Sequence, residues 1–552
     1  MPQDAFNLRR NVLELQNILI GGKINKVVQP DKDDLVFYIY TGKSLLKLVL
    51  STSASSARVC LTTADEEVPA VAPNFCMLLR KHVIGAEIKK IEQVAFERIV
   101  AITLHCVSDF TCADRVLYTE VMGKYSNVVL TENGVILGAL KTTSLEENCK
   151  RILFPGAKYT LPAPQDKADP TDKAALTQAL RGFSLSADKA DYLFKNVAGI
   201  AYSTAVQMVT EYEKLSVPEP IADFVADYLF GGETSPCLLS VNGVPKDFSA
   251  KPLDGGVPCA SLQQAQDILY SYNGQKKAFE EKKRRLLSVV QNRKKKEEKK
   301  LGQILEKLKE CEGSEEYRLS GELITANIYQ LERGMSECRL PNYYDPDYKE
   351  KKIALDKTLT PSQNAQKYYK KYAKLKRTVE ALAPRKEEEE AELAYTESIL
   401  FALSQAEETG DLADIEEELI SLGLLKPKAV KQKKVADVPF RKYEKDGFTI
   451  LAGRNNVQND KLVRSAAKND IWLHTQKYHS SHVVVVTEGR KVPNEVLEYA
   501  AALCARFSDG KHGSKIPVDY CEIRFVKKPS KAKAGFVVYT DYKTLLVDPL
   551  AN

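Results

Sequence analysis

The stretch "NDIWLHTQKYHSSHVVVV", Asn469 to Val486, decides how the end of the chain is read. It holds the only tryptophan, Trp472, and three of the six histidines, His474, His479 and His482. Around them the sequence runs from strand through loop to strand, so the histidines share no helical face. A zinc site needs fixed geometry and a full ligand set. No cysteine lies within about twenty residues to complete one, and no metal is expected. A histidine-based catalytic pair would need an activated nucleophile, and none is in view. Trp472 is expected to anchor a domain core beside its strand, with base stacking as the alternative.

Working outward, "DGFTILAG", "HVVVVT", "CEIRFVKK" and "GFVVYT" read as strands. "NDKLVRSAAK" and the segment from Pro493 to Phe507 read as helices. Together they predict a compact α+β domain over residues 440–552. "KKPSKAKAG" reads as an exposed loop. From Arg524 to Lys533 the basic residues Arg524, Lys527, Lys528, Lys531 and Lys533 are interrupted by no acid, a pattern suited to phosphate contact. From Phe440 onward there are 19 Lys+Arg against 12 Asp+Glu, while the rest has 61 against 62. The net charge of +6 therefore rests on the last fifth, which favours a polyanionic partner there.

Residues 1–168 read as α+β. An early amphipathic helix, "NVLELQNIL", precedes strands in "DDLVFYIYTGKSLLKLVLST", "ARVCLTT", "RIVAITLHC", "RVLYTEV" and "SNVVLTENGVILGAL". The turn at Glu132-Asn133-Gly134 marks a hairpin. "PNFCMLLRKHV" reads as a helix with proline near its start. Residues 169–235 read as short helices, and Gly199-Ile200 before "STAVQMV" has the look of a helix-hairpin-helix, although a small bundle with glycine turns fits equally. Residues 236–259 return to strand-like patterning and are a candidate to pack back on the first domain. Residues 260–435 read as two long helical arms. Leu301, Ile304, Leu305 and Leu308 recur at helical spacing, and Tyr372, Leu375, Val379 and Leu382 follow a heptad in the returning arm. Prolines 341, 346 and 361 interrupt helix between the arms, which predicts an antiparallel coiled coil with a structured tip. Pro384 is expected to kink or restart the returning helix. "RKKKEEKK", Arg293 to Lys300, reads as a solvated helix face, and "LKPKAVKQKK" as a basic linker.

The 552 residues require several domains. No apolar run of membrane-spanning length and no signal peptide is read, so no membrane and a cytoplasmic location are expected. The eleven cysteines are scattered singly, which fits reduced thiols. There is no P-loop, GxGxxG, HExxH or G-x-S-x-G. Pro2, once Met1 is removed, would be a competent amine nucleophile of the kind used by DNA glycosylase/lyases. The acid such enzymes place next is replaced by Gln3, and proline at this position is common simply because it permits methionine removal.

Several long motifs then occur in a fixed order. "SSARVCLTT", "PNFCMLLRKHV" and "EVMGKYSNVVLTE" are similar to the N-terminal domain of the NFACT proteins, the family of bacterial RqcH and eukaryotic NEMF. "GELITANIYQLERG" and "LTPSQNAQKYYKKYAK" resemble its middle region. "GRNNVQNDKLVRSAAKNDIWLHTQKYHSSHVVV" resembles its C-terminal NFACT-R domain. The large C-terminal extension and acidic insert of the eukaryotic proteins are missing, so a bacterial type of member is expected.

The resemblance implies a multidomain α+β protein: a glycosylase-like N-terminal domain, a helix-hairpin-helix bundle, a long antiparallel coiled coil with a tip, and an α+β NFACT-R domain. It implies ribosome-associated quality control. The protein would bind the split large ribosomal subunit carrying peptidyl-tRNA, near the stalk base, and recruit alanyl-tRNA for C-terminal alanine tailing without mRNA. A small RNA-binding partner of heat-shock type is also implied. The ribosome would perform the peptidyl transfer, so no catalytic residue and no cofactor are expected. The family's Asp-Arg tRNA-contacting pair falls on Glu97-Arg98, where glutamate keeps the charge with a longer reach. The NFACT-R motif Asp-x-Trp-x-His followed by Gly-Ser-His falls on Asp470, Trp472, His474 and His482, with Ser480-Ser481 in place of Gly-Ser; His479 sits at a variable position. Arg454 and Asn455 join these as expected RNA-contacting residues. A DNA glycosylase/AP lyase using Pro2 and a fibronectin-binding surface adhesin are the alternatives from other classes.

Overall fold

A computed structural model of the chain describes all residues except 1–2, 67, 109–110, 144–150, 164, 217–218, 233, 428–437, 531 and 551–552. Two compact units divide it, residues 1–276 and 277–552.

The first unit begins with a capped helix. The Asp4 carboxylate accepts from the Asn7 N–H at 2.8 Å and starts α1 (Ala5–Leu19). Leu8, Val12, Leu15 and Leu19 recur three or four apart and present one apolar stripe. The stripe packs on a nine-stranded antiparallel sheet in the order β4-β3-β2-β1-β5-β6-β7-β8-β9. Its strands are β1 (Lys23–Val28), β2 (Asp34–Tyr40), β3 (Leu45–Ser51), β4 (Arg58–Thr62), β5 (Glu87–Gln93), β6 (Ile99–Ser108), β7 (Thr111–Glu120), β8 (Asn127–Glu132) and β9 (Val135–Ala139). Helix α2 (Asn74–Val83) adds Cys76, Leu79 and Val83 to the same core. Asn133 and Gly134, at φ 50° and 77°, make the tight turn between β8 and β9 that their sequence predicts. Strands β1 and β5 were not legible. Each carries a register shift, at Ile24/Lys26 and Ile88/Lys90, and a bulge breaks the alternation by which a strand is recognised.

Four short helices follow: α3 (Lys173–Ala179), α4 (Lys189–Asn196), α5 (Tyr202–Tyr212) and α6 (Ile221–Phe230). A three-stranded sheet of β10 (Cys237–Val241), β11 (Val244–Ser249) and β12 (Gly256–Pro258) comes next. Leu238 and Phe248 of that sheet share one core with Phe6, Phe96, Leu193 and Val225. Asn7 Oδ1 accepts the Ala250 N–H at 2.9 Å, and Asp4 accepts from Thr204 Oγ1 at 2.5 Å, so the start of α1 is tied to both later segments.

Helix α7 (Leu262–Glu310) leads into the second unit. It is followed by α8 (Ser314–Ala326), the hairpin β13 (Glu337–Pro341) and β14 (Glu350–Ala354), and the returning helix α9 (Pro361–Gln405). Thr360 and Gln363 form a capping box with Pro361 at the first helical position. Leu323, Ile324, Leu340, Ile353 and Ala365 give the tip its own core. The returning helix runs as one element through Pro384 rather than restarting there. The block Arg293–Lys300 also departs from a purely solvated face. Lys294 Nζ lies 2.8 Å from Glu397, Lys300 Nζ 3.2 Å from Glu389, and Arg293 3.5 Å from Glu392. Those carboxylates lie on α9, about ninety to one hundred residues away in sequence, and the numbering of the pairs shows that the two helices run antiparallel. Beneath them Leu286, Val290, Ile399, Leu403, Leu412, Ile415 and Leu419 close a core with α10 (Thr409–Ser421).

The last part of the second unit is built from β15 (Arg441–Lys445), β16 (Phe448–Ala452), α11 (Asn456–Ser465), β17 (Ile471–Thr475), β18 (Val483–Val486), α12 (Asn494–Arg506), β19 (Ile516–Glu522) and β22 (Lys543–Val547), with a small ladder of β20 (Val526–Lys527) and β21 (Val538–Tyr539). Its main sheet is six-stranded and antiparallel, in the order β15-β16-β18-β17-β19-β22. One sheet face, with Leu473, Val483 and Val485, packs on Val496, Ala500 and Cys504 of α12. The other, with Trp472 and Val484, packs on Leu462, Ile523 and Val526. The strand expected in "CEIRFVKK" begins earlier, at Ile516, and ends at Glu522. Pro517 hides its start from a propensity reading. Its end is set by Ile523 and Arg524, whose N–H groups donate to Asp470 and Lys468 carbonyls at 2.9 and 3.1 Å and draw the backbone off the sheet. The strand expected in "GFVVYT" shrinks to Val538–Tyr539. Among the described residues, no helix is long and apolar enough to cross a membrane.

Candidate nucleic-acid interface

In the first unit, Glu97 and Arg98 close the tight turn from β5 into β6. The Glu97 N–H donates to the Val94 carbonyl at 3.2 Å, and the Arg98 carbonyl accepts from Val121 at 2.8 Å. Phe96, buried beside them, meets Phe230 edge-on at 5.2 Å and fixes the turn. Gly199, at φ +78°, passes against this turn; a Cβ there would come within 2.8 Å of Phe96 and Ala5. Burial pushes the Glu97 carboxyl above its ordinary range, and the adjacent Arg98 charge pulls it back. Lys167 lies close enough to Arg98 that burial and this like charge together lower its pKa. Lys167 Nζ donates to the Phe194 carbonyl at 2.6 Å and sits 4.4 Å from the centre of that ring. Lys167 thus adds a second cation near a turn that also carries the Glu97 carboxyl. Lys167 was missed in the sequence, because about seventy residues separate it from Arg98.

In the second unit, the alternation of β17 sends Trp472 and His474 to the same sheet face. The β17–β18 register pairs Trp472 with Val484 and Leu473 with Val483, which brings His482 beside His474. The indole and the His474 ring are parallel at 5.8 Å, and His482 stands perpendicular to both at 5.3 Å from each. All three rings line a cavity of about 470 Å³, which Tyr395 and Ala394 of α9, Asn456 of α11 and the segment from Lys533 to Phe536 complete. Burial pushes His474 down to about 4 and His482 well below its ordinary value, so both rings are neutral at pH 7. Among the described residues, no group of three or more His, Cys, Asp or Glu is placed to hold a metal.

The remaining expected residues have structural partners. Asp470 is buried. Its carboxylate accepts the Thr487 N–H at 2.8 Å and the Ala467 N–H at 2.8 Å. Asn455 caps α11, accepting from the Gln458 N–H at 2.8 Å, and donates to Asp414 at 3.1 Å. Arg454 reaches Glu408 at 3.0 Å and Asp411 at 3.6 Å. Within the basic segment, Lys528 pairs with Asp460, Lys533 with Glu392 at 2.5 Å, and Arg524 with Glu522 at 2.9 Å. The loop reads as free of acid in sequence, yet three carboxylates reach its cations from other elements. Lys527 is exposed and has no ion pair among the described residues. Lys531 lies outside the described residues.

A nine-stranded α+β unit, paired helical arms and a basic α+β domain correspond in order to two matched family descriptions. These are "NFACT N-terminal and middle domains" over residues 4–437 and "NFACT protein RNA binding domain" over 438–540. The chain belongs to the NFACT family. It is 34% identical over 562 residues to the Rqc2 homolog RqcH of Bacillus subtilis, covering 98% of this chain and 96% of that protein. It is likewise 34% identical over 563 residues to the Rqc2 homolog RqcH of Streptococcus pneumoniae, covering 100% and 98%. Among solved structures, it is similar to the N-terminal part of a fibronectin/fibrinogen-binding protein from Streptococcus suis. That match has 27% identity and a TM-score of 0.43, over 49% of this chain and 98% of that one.

Proposed function

We infer that this protein is a ribosome-associated quality-control factor that binds tRNA and the ribosome and does no covalent chemistry itself. The observation that carries this reading is the match to RqcH proteins along nearly the whole length of both partners. In the finer reading, it acts in the cytoplasm on the split large subunit near its stalk base. It recruits alanyl-tRNA, and a small RNA-binding protein of heat-shock type assists it. Arg98 offers a planar guanidinium suited to bidentate contact with phosphate or a base edge. The half-buried neighbour Lys167 adds a second positive charge. The glycosylase reading gives way to family membership, and Pro2 lies outside the described residues.

The test is purification of the intact protein from its cells, with sequencing of bound RNA and mass analysis of the C-termini of nascent polypeptides. Large-subunit rRNA with one dominant tRNA species and homopolymeric alanine tails is the expected result. Absence of ribosomal RNA and tRNA from the purified material would sink the reading. Recovery at the cell surface instead would favour adhesion.

A further inference from the structure

Among the described residues, three side chains lining the cavity behind β17 carry a buried polar atom without a hydrogen-bond partner: Trp472, His482 and Arg454, the last with its guanidinium held 3.0 Å from Glu408 and 3.6 Å from Asp411. Trp472 is fully buried, His482 nearly so, and both line the cavity. Trp472 Nε1 and His482 Nδ1 each lack a hydrogen-bond partner. A buried polar group left unpaired costs about 1–3 kcal/mol, so Trp472 Nε1 and His482 Nδ1, on rings 5.3 Å apart that line one cavity, point to a ligand that pairs both.

Their chemistry is complementary. Trp472 Nε1–H can only donate. The His482 ring is neutral, and the Gly535 backbone lies against it so as to favour a proton there. With Nδ1 unpartnered, that proton belongs on Nε2, which leaves Nδ1 as an acceptor. The site therefore asks for an acceptor and a donor close together on one edge of the ligand. The walls are aromatic, with Trp472, His474, Tyr395, Phe536 and Tyr539 among them. A volume of about 470 Å³ lies within the usual range for small-ligand sites. The charged groups along its lining are countered: Arg454 by Glu408 and Asp411, Lys533 by Glu392, and His479 lies 3.8 Å from Glu397, while His474 and His482 are neutral. A phosphate or carboxylate group would be poorly served there, whereas a flat, uncharged heterocycle with a mixed donor–acceptor edge fits.

We propose that this cavity receives a single unstacked nucleobase, its edge paired with Trp472 Nε1 and His482 Nδ1. The proposal deepens the RNA-binding reading of this domain and rests on it. RNA readers commonly splay out single bases, stack them on aromatic rings and bond their edges. The base can come from a looped-out position in RNA or from a free nucleotide, and the chemistry is the same for both.

Trp472 is the only tryptophan, so its emission in the full-length protein reports on the cavity directly. Excited at the red edge, away from nucleotide absorption, it is titrated with AMP, GMP, CMP and UMP, and separately with short single-stranded RNAs. A saturable change is expected in at least one arm. Response to mononucleotides assigns free nucleotide as a sufficient ligand, and response to RNA alone assigns a base within a strand. Ala394→Phe, which fills the mouth from an exposed position of α9, should weaken that response at least tenfold. Ala394→Ser should leave it intact, and His482→Leu should lower affinity by a similar factor if the domain folds. The proposal is overturned if no ligand changes Trp472 emission at millimolar concentration while the same preparation still binds tRNA in a filter assay. That result leaves the quality-control function standing. An undiminished response in a folded Ala394→Phe variant overturns it equally.

Discussion

Arg98 and His482 are both expected recognition residues, yet their surroundings are opposite. Arg98 ends a tight turn beside a second cation, Lys167, and has no ion pair among the described residues. His482 is buried against an indole, neutral, and lines a cavity. One position presents charge; the other removes it. An expected recognition residue is therefore not necessarily a phosphate contact. Asp470, from the same expected set, serves the backbone of its own domain.

The comparison breaks first at Asp470. If its role is structural, Asp470→Ala strips the buried Thr487 N–H and the part-buried Ala467 N–H of their charged acceptor and should cost about 3 kcal/mol. Denaturation followed by Trp472 emission measures this, and an unchanged midpoint would return Asp470 to the RNA-contacting set. Acid should act next. A histidine ordinarily titrates near 6.5, and His474 is pushed down to about 4 by burial, with His479 nearby adding to the effect and Asp519 opposing it. The unfolded state therefore takes up the proton first as pH falls. Stability is retained above about pH 6.5 and is lost progressively between there and about pH 4. For His474 the loss between pH 7 and pH 5 should be about 2 kcal/mol. A domain equally stable at both values would mean that the rings are not enclosed.

Arg98→Ala should leave folding within about 0.5 kcal/mol of the parent and reduce co-purifying tRNA roughly tenfold. Undiminished tRNA would remove Arg98 from the interface. The smallest effect separates the lysines. Lys527→Ala should lower the salt slope of RNA binding by about one unit. Lys528→Ala, already paired with Asp460, should lower it less, and equal slopes would show that the internal pair opens on binding.

Much of the fold was legible where local patterning is strong. The stripe of α1 and the Asn133-Gly134 turn are local patterns and read directly, whereas Pro361 reads in sequence as an interruption of helix and the capping box at Thr360 shows only in the structure. Strands β1 and β5 were hidden by bulges, and the start of β19 by Pro517. The site divided in the same way. Alternation along β17 places Trp472 and His474 on one face, but nothing local marks Lys167 beside Arg98 or Asp460 beside Lys528.

By itself, the sequence determined the family and the order of its segments, because motifs and periodicities are properties of neighbouring residues. Only the tertiary structure decided which of the expected recognition residues remain charged and available. Burial and ion pairing depend on elements remote in sequence. Helix α9, about eighty residues before β17, supplies Tyr395 and Ala394 to the cavity and Glu392 to Lys533. Of three histidines clustered in sequence, His474 and His482 thereby come to face one another across an aromatic-lined cavity, while His479 lies 3.8 Å from Glu397.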